Sequence, residues 1–382
     1  MVLNAIFGGL ACLSLVLLVW QWVAGLRFPL HMRSASQNRS CPGVTVLKPL
    51  KGCDAATESC LRSWFAQEYG GQMQLLFGVA SREDPVCNLV RSLLQEFPNL
   101  DAELVIGGPL LGANLKVSKL AQLERLARNE ILVISDADVS VAPDFLVELL
   151  LRLQDPAIGL VSCFYKLANP VTLPMKWEAI AINADFWSQV LQSVSLKPLD
   201  FALGAAMATR RQQLNEIGGF AALADCLADD YQLGNRIARL GHRIALASVV
   251  VECWSTPMGW SAVWKHQLRW ARTIRVCQPL PYFFSILSNA TIWPLLWAIK
   301  NPSGTVLGFI LACGLVRTLT ALQLQARLTQ TRMRWGQGWL VLVKDLLQVA
   351  LWLLAFAGNH IEWRGEKMLV RRDGTLVRAS SN

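Results

Sequence analysis

Asp84, the triplet Asp136-Ala137-Asp138 and the pair Asp229-Asp230 follow one another along the chain, and His266-Gln267-Leu268-Arg269-Trp270 comes after them. Two carboxylates two residues apart, in a turn that leaves a strand, suit a hard divalent cation, which in turn neutralises a diphosphate leaving group. One carboxylate of Asp229-Asp230 would serve as general base for an acceptor hydroxyl. Arg269 can stabilise negative charge on a diphosphate, with His266 and Trp270 beside it and the acceptor. Each station also has a plainer reading. Asp136 and Asp138 can be turn residues that only accept backbone N–H bonds. Asp84 stands before Pro85, where it suits a helix N-cap with proline at the first helical position. Asp229 and Asp230 favour the positive end of the helix they open.

Positioning such residues requires a sheet. Short apolar runs at 44–47, 74–79, 102–106, 131–135, near 159–163 and at 244–250 read as strands. Helical patterns fall between them: from Asp84-Pro85 to Leu94, then at 118–127, 143–153, 176–192 and 229–240, the last stopped by Gly241. This alternation predicts an α/β fold with a mainly parallel, Rossmann-like sheet. Asp136 and Asp138 then lie at a strand's carboxyl end, where ligands of open α/β sheets bind.

Of the 382 residues, 53% are hydrophobic, and part of the chain is expected in lipid. An uncharged run at 3–24 is long enough to cross a bilayer. It lacks the basic n-region of a cleaved signal, so it reads as an anchor. Further apolar stretches lie at 279–299, 305–322 and 339–357. The expected organisation is an anchor at 1–26, a cytoplasmic catalytic domain at 27–275, membrane segments at 276–358 and a basic tail at 359–382. Arg27, Arg33 and Arg39, with Arg269, Arg272 and Arg275, place the middle domain in the cytoplasm by the positive-inside rule. Arg364, Lys367, Arg371, Arg372 and Arg378 favour that side too, so one C-terminal segment should not cross. The candidate is 279–299, interrupted by Pro281, Asn289 and Pro294.

The stretch 260–274 carries Trp260, Val263, Trp264, Gln267, Trp270, Ala271 and Ile274 on one helical stripe and Lys265, Arg269 and Arg272 on another. It reads as an amphipathic helix at the membrane surface, and an anchor without chemistry is its plainer reading. Lys344-Asp345 reads first as an interfacial salt bridge and second as a functional pair. The net charge of +9 gathers beside apolar segments rather than on a nucleic-acid module, which points to anionic lipid and away from nucleic acid. Ten cysteines without a Cys-x-x-Cys pair argue against zinc and for reduced thiols.

Taken together, these residues resemble the ceramide glucosyltransferase family, family 21 of the glycosyltransferases, and its bacterial hopanoid-biosynthesis branch. The matching residues are Leu47-Lys48-Pro49-Leu50-Lys51-Gly52, Glu83-Asp84-Pro85, Ile106-Gly107-Gly108 with Asn114 and Lys116, Asp136, Asp229-Asp230-Tyr231, Arg269-Trp270 and Trp363-Arg364-Gly365. The resemblance covers nearly the whole chain. It implies a GT-A fold, a UDP-sugar donor, Mg²⁺ or Mn²⁺, inversion at the anomeric carbon and a membrane lipid acceptor.

Carried over, Pro49, Lys51, Gly52 and Asp84 would face the uridine, while Lys116 would join the donor site. Asp136 and Asp138 would hold metal and diphosphate, Asp230 would be the base, and His266, Gln267, Arg269 and Trp270 would complete the site. Two departures stand out: His266 replaces the usual Gln or Arg, and Asp138 is present where eukaryotic members often lack it. Both resemble the bacterial branch. The expectation is a membrane-bound transferase, in a bacterial inner membrane, that moves one glucose or N-acetylglucosamine to a ceramide-like or hopanoid hydroxyl. A processive polysaccharide synthase, a polyprenyl-phosphate transferase and a non-catalytic scaffold are the alternatives. The sequence does not choose the sugar, because selectivity rests on a few pocket contacts.

Overall fold

A computed structural model describes residues 2–34, 41–363, 366–371 and 374–378. Arg39, Arg364, Gly365 and Arg372 lie outside these residues, as do the side chains of Trp363, Lys367 and Arg378.

The central sheet is built from β1 (Val44–Pro49), β2 (Met73–Val79), β3 (Asp101–Ile106), β4 (Ile131–Ser135), β5 (Val139–Ser140), β6 (Ile158–Leu167), β7 (Ala206–Arg210) and β8 (Arg243–Cys253). Its order is β3-β2-β1-β4-β7-β6-β8-β5. β3, β2, β1 and β4 run parallel, as expected. The sheet is mainly parallel as expected, since β6 also pairs in parallel with β8, but β7 is antiparallel to both β4 and β6, and the short β5 is antiparallel to β8. The sequence Ala206-Met207-Ala208-Thr209-Arg210 carries little of the branched, alternating pattern of a strand, so β7 was not foreseen.

β1 and β4 are buried along their whole length, which is why they read as continuous apolar runs. Successive side chains alternate between two cores. Val46, Leu75 and Val133 meet Trp64, Phe77 and Phe145 on one face. Leu47, Leu76 and Ile134 join the other, which continues through Trp177 and Trp187 to Leu324, Leu340 and Leu351. Those last residues belong to apolar helices, so one hydrophobic core unites the sheet domain with the C-terminal region.

Three helices, Val2–Arg27, Gly304–Thr329 and Trp335–Phe356, are long and apolar enough to cross a membrane. Pro279–Ser288 and Ile292–Lys300 form a pair bent by 56°. The prolines do not make this break: Pro281 and Pro294 sit in the first turns of Pro279–Phe284 and Ile292–Lys300, where a missing N–H costs nothing. Asn289 makes it. Its Oδ1 accepts the N–H groups of Thr291 and Ile292 at 3.1 and 3.0 Å, and its Nδ2 donates to the Asp345 carbonyl at 3.0 Å.

Lys344 and Asp345 are not an interfacial pair, because both are buried at 5% and 4% exposure. Arg317 bonds Asp345 through Nε and Nη2, each at 2.8 Å, and reaches Asp185 at 2.9 Å. Lys344 pairs with Asp185 and stands 3.9 Å from Asp345. Thr291 Oγ1 donates to Asp345 at 2.6 Å. Asp185 comes from the predicted helix at 176–192, which is one rod made of Leu173–Ile180, a π-helical stretch Ala181–Phe186 and Trp187–Val194. Sequence spacing gave no hint that a residue there would neutralise a pair 159 positions away.

The described residues of the basic tail form an antiparallel sheet of β9 (His360–Trp363), β10 (Glu366–Val370) and β11 (Leu376–Arg378). Ile361, Met368, Val370 and Leu376 pack on Leu227. Leu376 N–H donates to Asp225 at 2.7 Å and Leu227 N–H to Gly374 at 3.2 Å, so this sheet braces the loop that leads into Asp229.

Candidate active site

Asp136 and Asp138 leave the carboxyl end of β4, beside the carboxyl end of β1. Lys48 projects from β1 with 1% exposure, lies over the Trp64 ring, and donates to the Asp136 carbonyl at 2.7 Å and to Ser135 Oγ at 3.2 Å. Burial pushes this ammonium down to about 8, against the opposing pull of Asp138 and Asp136. A lysine inside an otherwise apolar strand was the available signal for it. The sequence places it in the Leu47–Gly52 motif without marking it as a site residue.

Lys116 opens the helix Leu115–Leu126, three residues earlier than the periodicity indicated, because Asn114 caps it by accepting the N–H groups of Lys116 and Val117. The Lys116 ammonium stands 2.7 Å from Asp136 Oδ1 and 3.0 Å from Asp229 Oδ2. Burial opposes its charge, but Asp136, Asp229 and Asp230 outweigh burial and hold it well above the usual lysine range. Asn114 Nδ2 also donates to the Cys226 carbonyl at 2.8 Å and reaches Asp229 at 3.4 Å. The first cap of one helix thereby meets the first turn of another, Asp229–Arg239.

Asp230 is half-buried beside Gly204, where an added Cβ would lie 2.5 Å from its Oδ2. Burial, then the charge of Asp229, pushes its carboxyl up to about 6. Asp138 stands in a recess that crowds it with protein atoms yet leaves it open to water. That desolvation, then the charge of Asp136, pushes it up to about 6 as well. Among the described residues, Asp136, Asp138, Asp229 and Asp230 thus gather around the ammoniums of Lys48 and Lys116.

The surplus of negative charge is what a divalent cation would offset. Among the described residues no cluster of three or more His, Cys, Asp and Glu side chains forms a metal cage. Asp136 and Asp138 offer hard oxygen donors, a set that fits Mg²⁺ or Mn²⁺ completed by phosphate oxygens and water rather than by protein alone.

Asp84 does two things. Its carboxylate accepts the Val86 N–H at 3.1 Å, so it serves the start of Val86–Glu96, one residue later than expected. Its two oxygens also each receive the Gly52 N–H at 3.0 Å. Gly52 has φ +75°, which only glycine adopts without strain. Lys119 donates to the Leu50 carbonyl at 2.7 Å. Together these bonds pin the loop that carries Pro49 and the exposed Lys51 on the same sheet edge as Asp136.

His266, Gln267, Arg269 and Trp270 lie on the helix Trp260–Cys277, but they face two ways. Part of its apolar stripe meets protein, where Trp177 packs on Trp260 and Trp264 and Trp270 packs on Tyr165 and Phe186, while Trp260 and Ile274 keep 46% and 40% exposure. His266 Nδ1 and Gln267 Nε2 both bond Glu178 Oε1, at 2.6 and 2.8 Å. Arg269 lines a cavity of about 420 Å³ with Lys265, Arg272, His360 and Glu362, between this helix and the tail sheet. Tyr165 packs on Trp270 and Phe186, and burial holds its phenol well above the usual range.

The sequence model of glycosyl transferase family 21 matches residues 8–376. The chain is 25% identical over 230 residues to ceramide glucosyltransferase 3 of Caenorhabditis elegans, covering 58% of this chain and 48% of that one. It is also 25% identical over 252 residues to beta-monoglucosyldiacylglycerol synthase of Trichormus variabilis, covering 64% and 51%. The chain therefore spans about half the length of these relatives. A mannosyltransferase of Pyrobaculum calidifontis, solved with GDP-mannose and Mn²⁺, superposes with a TM-score of 0.54 at 24% identity, over 91% of this chain and 99% of that one. This likeness shows a GT-A-like fold. With a match along nearly its whole length, the chain belongs to glycosyl transferase family 21.

Proposed function

We infer that the protein is a membrane-bound inverting transferase that moves one sugar from UDP to a hydroxyl of a membrane lipid. The observation that carries this reading is Lys116 bridging Asp136 and Asp229, with Asp230 the next residue, in a domain whose core runs on into apolar helices. Relatives named for transfer to ceramide and to diacylglycerol support a lipid hydroxyl as the acceptor and glucose as one candidate sugar. N-acetylglucosamine and a hopanoid polyol remain the other candidates from the sequence. Arg27 at the end of the first helix and Arg33 beyond it support a cytoplasmic catalytic domain.

In this reading the Pro49–Gly52 loop and Asp84 hold the uridine. Mg²⁺ or Mn²⁺, when bound by Asp136 and Asp138, neutralises the diphosphate. Asp230, with a carboxyl near 6, is ionised at neutral pH yet basic enough to take the hydroxyl proton. Lys116 keeps Asp136 and Asp229 apart from that task by fixing both. Arg269 and Trp270 border the diphosphate and the lipid.

The test is to incubate protein in nanodiscs with UDP-glucose or UDP-N-acetylglucosamine, Mg²⁺ or Mn²⁺, and ceramide, diacylglycerol or hopanoid polyol, and to weigh the products. A single-sugar adduct of one lipid is expected. Polymer, an acid-labile polyprenyl phosphate product, or no product with any pairing would overturn the reading.

A further inference from the structure

Glu178 has no part in the chemistry assigned so far, yet it is buried at 1% exposure against the motif that chemistry needs. One of its oxygens serves both His266 Nδ1 and Gln267 Nε2, while the other, Oε2, is buried without a hydrogen-bond partner. A carboxylate so placed is costly unless positive charge stands beside it. His266 is the neighbour that can supply it. An ionised carboxylate only accepts, so His266 Nδ1 carries a proton and the ring is fixed with Nε2 at its opposite end. Trp270 closes one side, its ring centre 4.9 Å from that of His266. The His266 side chain keeps 29% exposure, and Trp270 packs on Tyr165 of β6, which stands two strands from the β4 that carries Asp136 in the same sheet.

We propose that Glu178 is a positioning residue that holds His266 by Nδ1 and turns its Nε2–H toward the diphosphate of the nucleotide-sugar. This rests on the assignment of a nucleotide-sugar donor. With Nδ1–H donating to Glu178 and Nε2–H to the diphosphate, both ring nitrogens carry protons and the proposed donor is an imidazolium. The bond from the anomeric carbon to the phosphate oxygen breaks with its electron pair going to that oxygen, the lipid oxygen bonds the same carbon, and its proton goes to Asp230. The imidazolium meets the charge left on the diphosphate. Gln and Arg, the residues the family resemblance places here, donate hydrogen bonds unaided. Histidine becomes a charged donor when a carboxylate stands behind it.

Glu178→Gln keeps an acceptor for Gln267 and nearly the same volume but removes the charge. It should lower kcat roughly 10- to 100-fold, the scale on which partners of a working imidazole act, with donor KM changed by less than about threefold. In a His266→Gln background the same change should alter kcat by less than about twofold. Equal losses in both backgrounds, or a loss that follows thermal unfolding alone, would overturn the proposal by making Glu178 a packing residue. A second readout avoids the variant's folding. Imidazole ¹⁵N spectra of wild type with UDP, assigned by the signal missing from His266→Gln, should show both His266 nitrogens protonated, and a bare Nδ1 would contradict it. If wild type transfers no sugar and binds no UDP, the donor assignment has failed, whereas normal transfer by Glu178→Gln rejects only the positioning role.

Discussion

Two clusters of enclosed charge among the described residues differ in balance. At the carboxyl edge of the sheet, four carboxylates face Lys48 and Lys116. Where the rod Leu173–Val194 meets the helices Gly304–Thr329 and Gly338–Phe356, Arg317 and Lys344 face Asp185 and Asp345, two against two. The balanced cluster satisfies itself through bidentate and shared bonds, as a structural network inside an apolar region must. The unbalanced one keeps two carboxyls pushed up to about 6 and stays partly open to water, which is the condition of a site that awaits a cation and a substrate. On the proposed function, balance therefore separates the cluster assigned to chemistry from the cluster that holds the fold.

Asp230→Asn tests the first half of that distinction most severely. Loss of a general base costs about 10²- to 10⁴-fold in rate. Turnover should fall by that much while UDP binding and thermal unfolding stay near wild type, and unchanged turnover would remove Asp230 from its role. The wild-type rate should show an acidic limb with its midpoint near 6, because the base must be ionised. Stability has the opposite sign. Asp138 and Asp230 titrate higher in the folded protein than when unfolded, so the folded state binds more protons between about 4 and 6, and stability falls as pH rises through that window. Added Mn²⁺ should raise the unfolding temperature more at pH 7 than at pH 4.5. An equal effect at both would mean that the surplus charge is not what the cation meets.

The balanced cluster should break in the other currency, stability. Asp345→Asn leaves Arg317 facing Asp185 alone, and breaking a buried pair typically costs about 3–5 kcal/mol. Activity per folded molecule should persist. Arg317→Met with Asp345→Leu removes one charge of each sign and leaves Lys344 paired with Asp185, so the double variant should be more stable than Asp345→Asn. Denaturation in nanodiscs measures both, and a double variant worse than the single would mean that charge balance does not govern this region.

The two clusters were also unequally legible. Asp136, Asp138 and Asp229-Asp230 announce themselves because each follows a strand or opens a helix, positions that a period of two or 3.6 residues reveals. Lys116 was visible only through resemblance, since its partners come from two other elements. Glu178, Arg317 and Asp185 were missed because each looks like an ordinary polar residue on a helix. Only the packing of the rod on its neighbours turns Glu178 toward His266 and Asp185 toward Arg317. The parallel half of the sheet was legible from buried apolar runs, while β7 was not, since its small residues carry no strand pattern of their own. Prolines misled as well, for Pro281 and Pro294 mark helix starts and Asn289 makes the bend.

That bend offers the smallest expected effect and the finest test of the balanced cluster. Asn289 Oδ1 accepts the N–H groups of Thr291 and Ile292 where the helix Ile292–Lys300 begins, its Nδ2 ties the bend to the Asp345 carbonyl, and Thr291 then reaches the Asp345 carboxylate at 2.6 Å. Loss of such a hydrogen bond costs about 1 kcal/mol. Asn289→Ala should therefore destabilise the protein by about that amount. Asn289→Ser, which can accept those N–H groups but cannot span to Asp345 with an amide, should recover part of it. If the bend also orients Asp345 for Arg317, the costs of Asn289→Ala and Asp345→Asn will not add, because residues sharing one network couple. Additive costs would separate the bend from the cluster and leave Arg317, Lys344, Asp185 and Asp345 as a unit closed on itself.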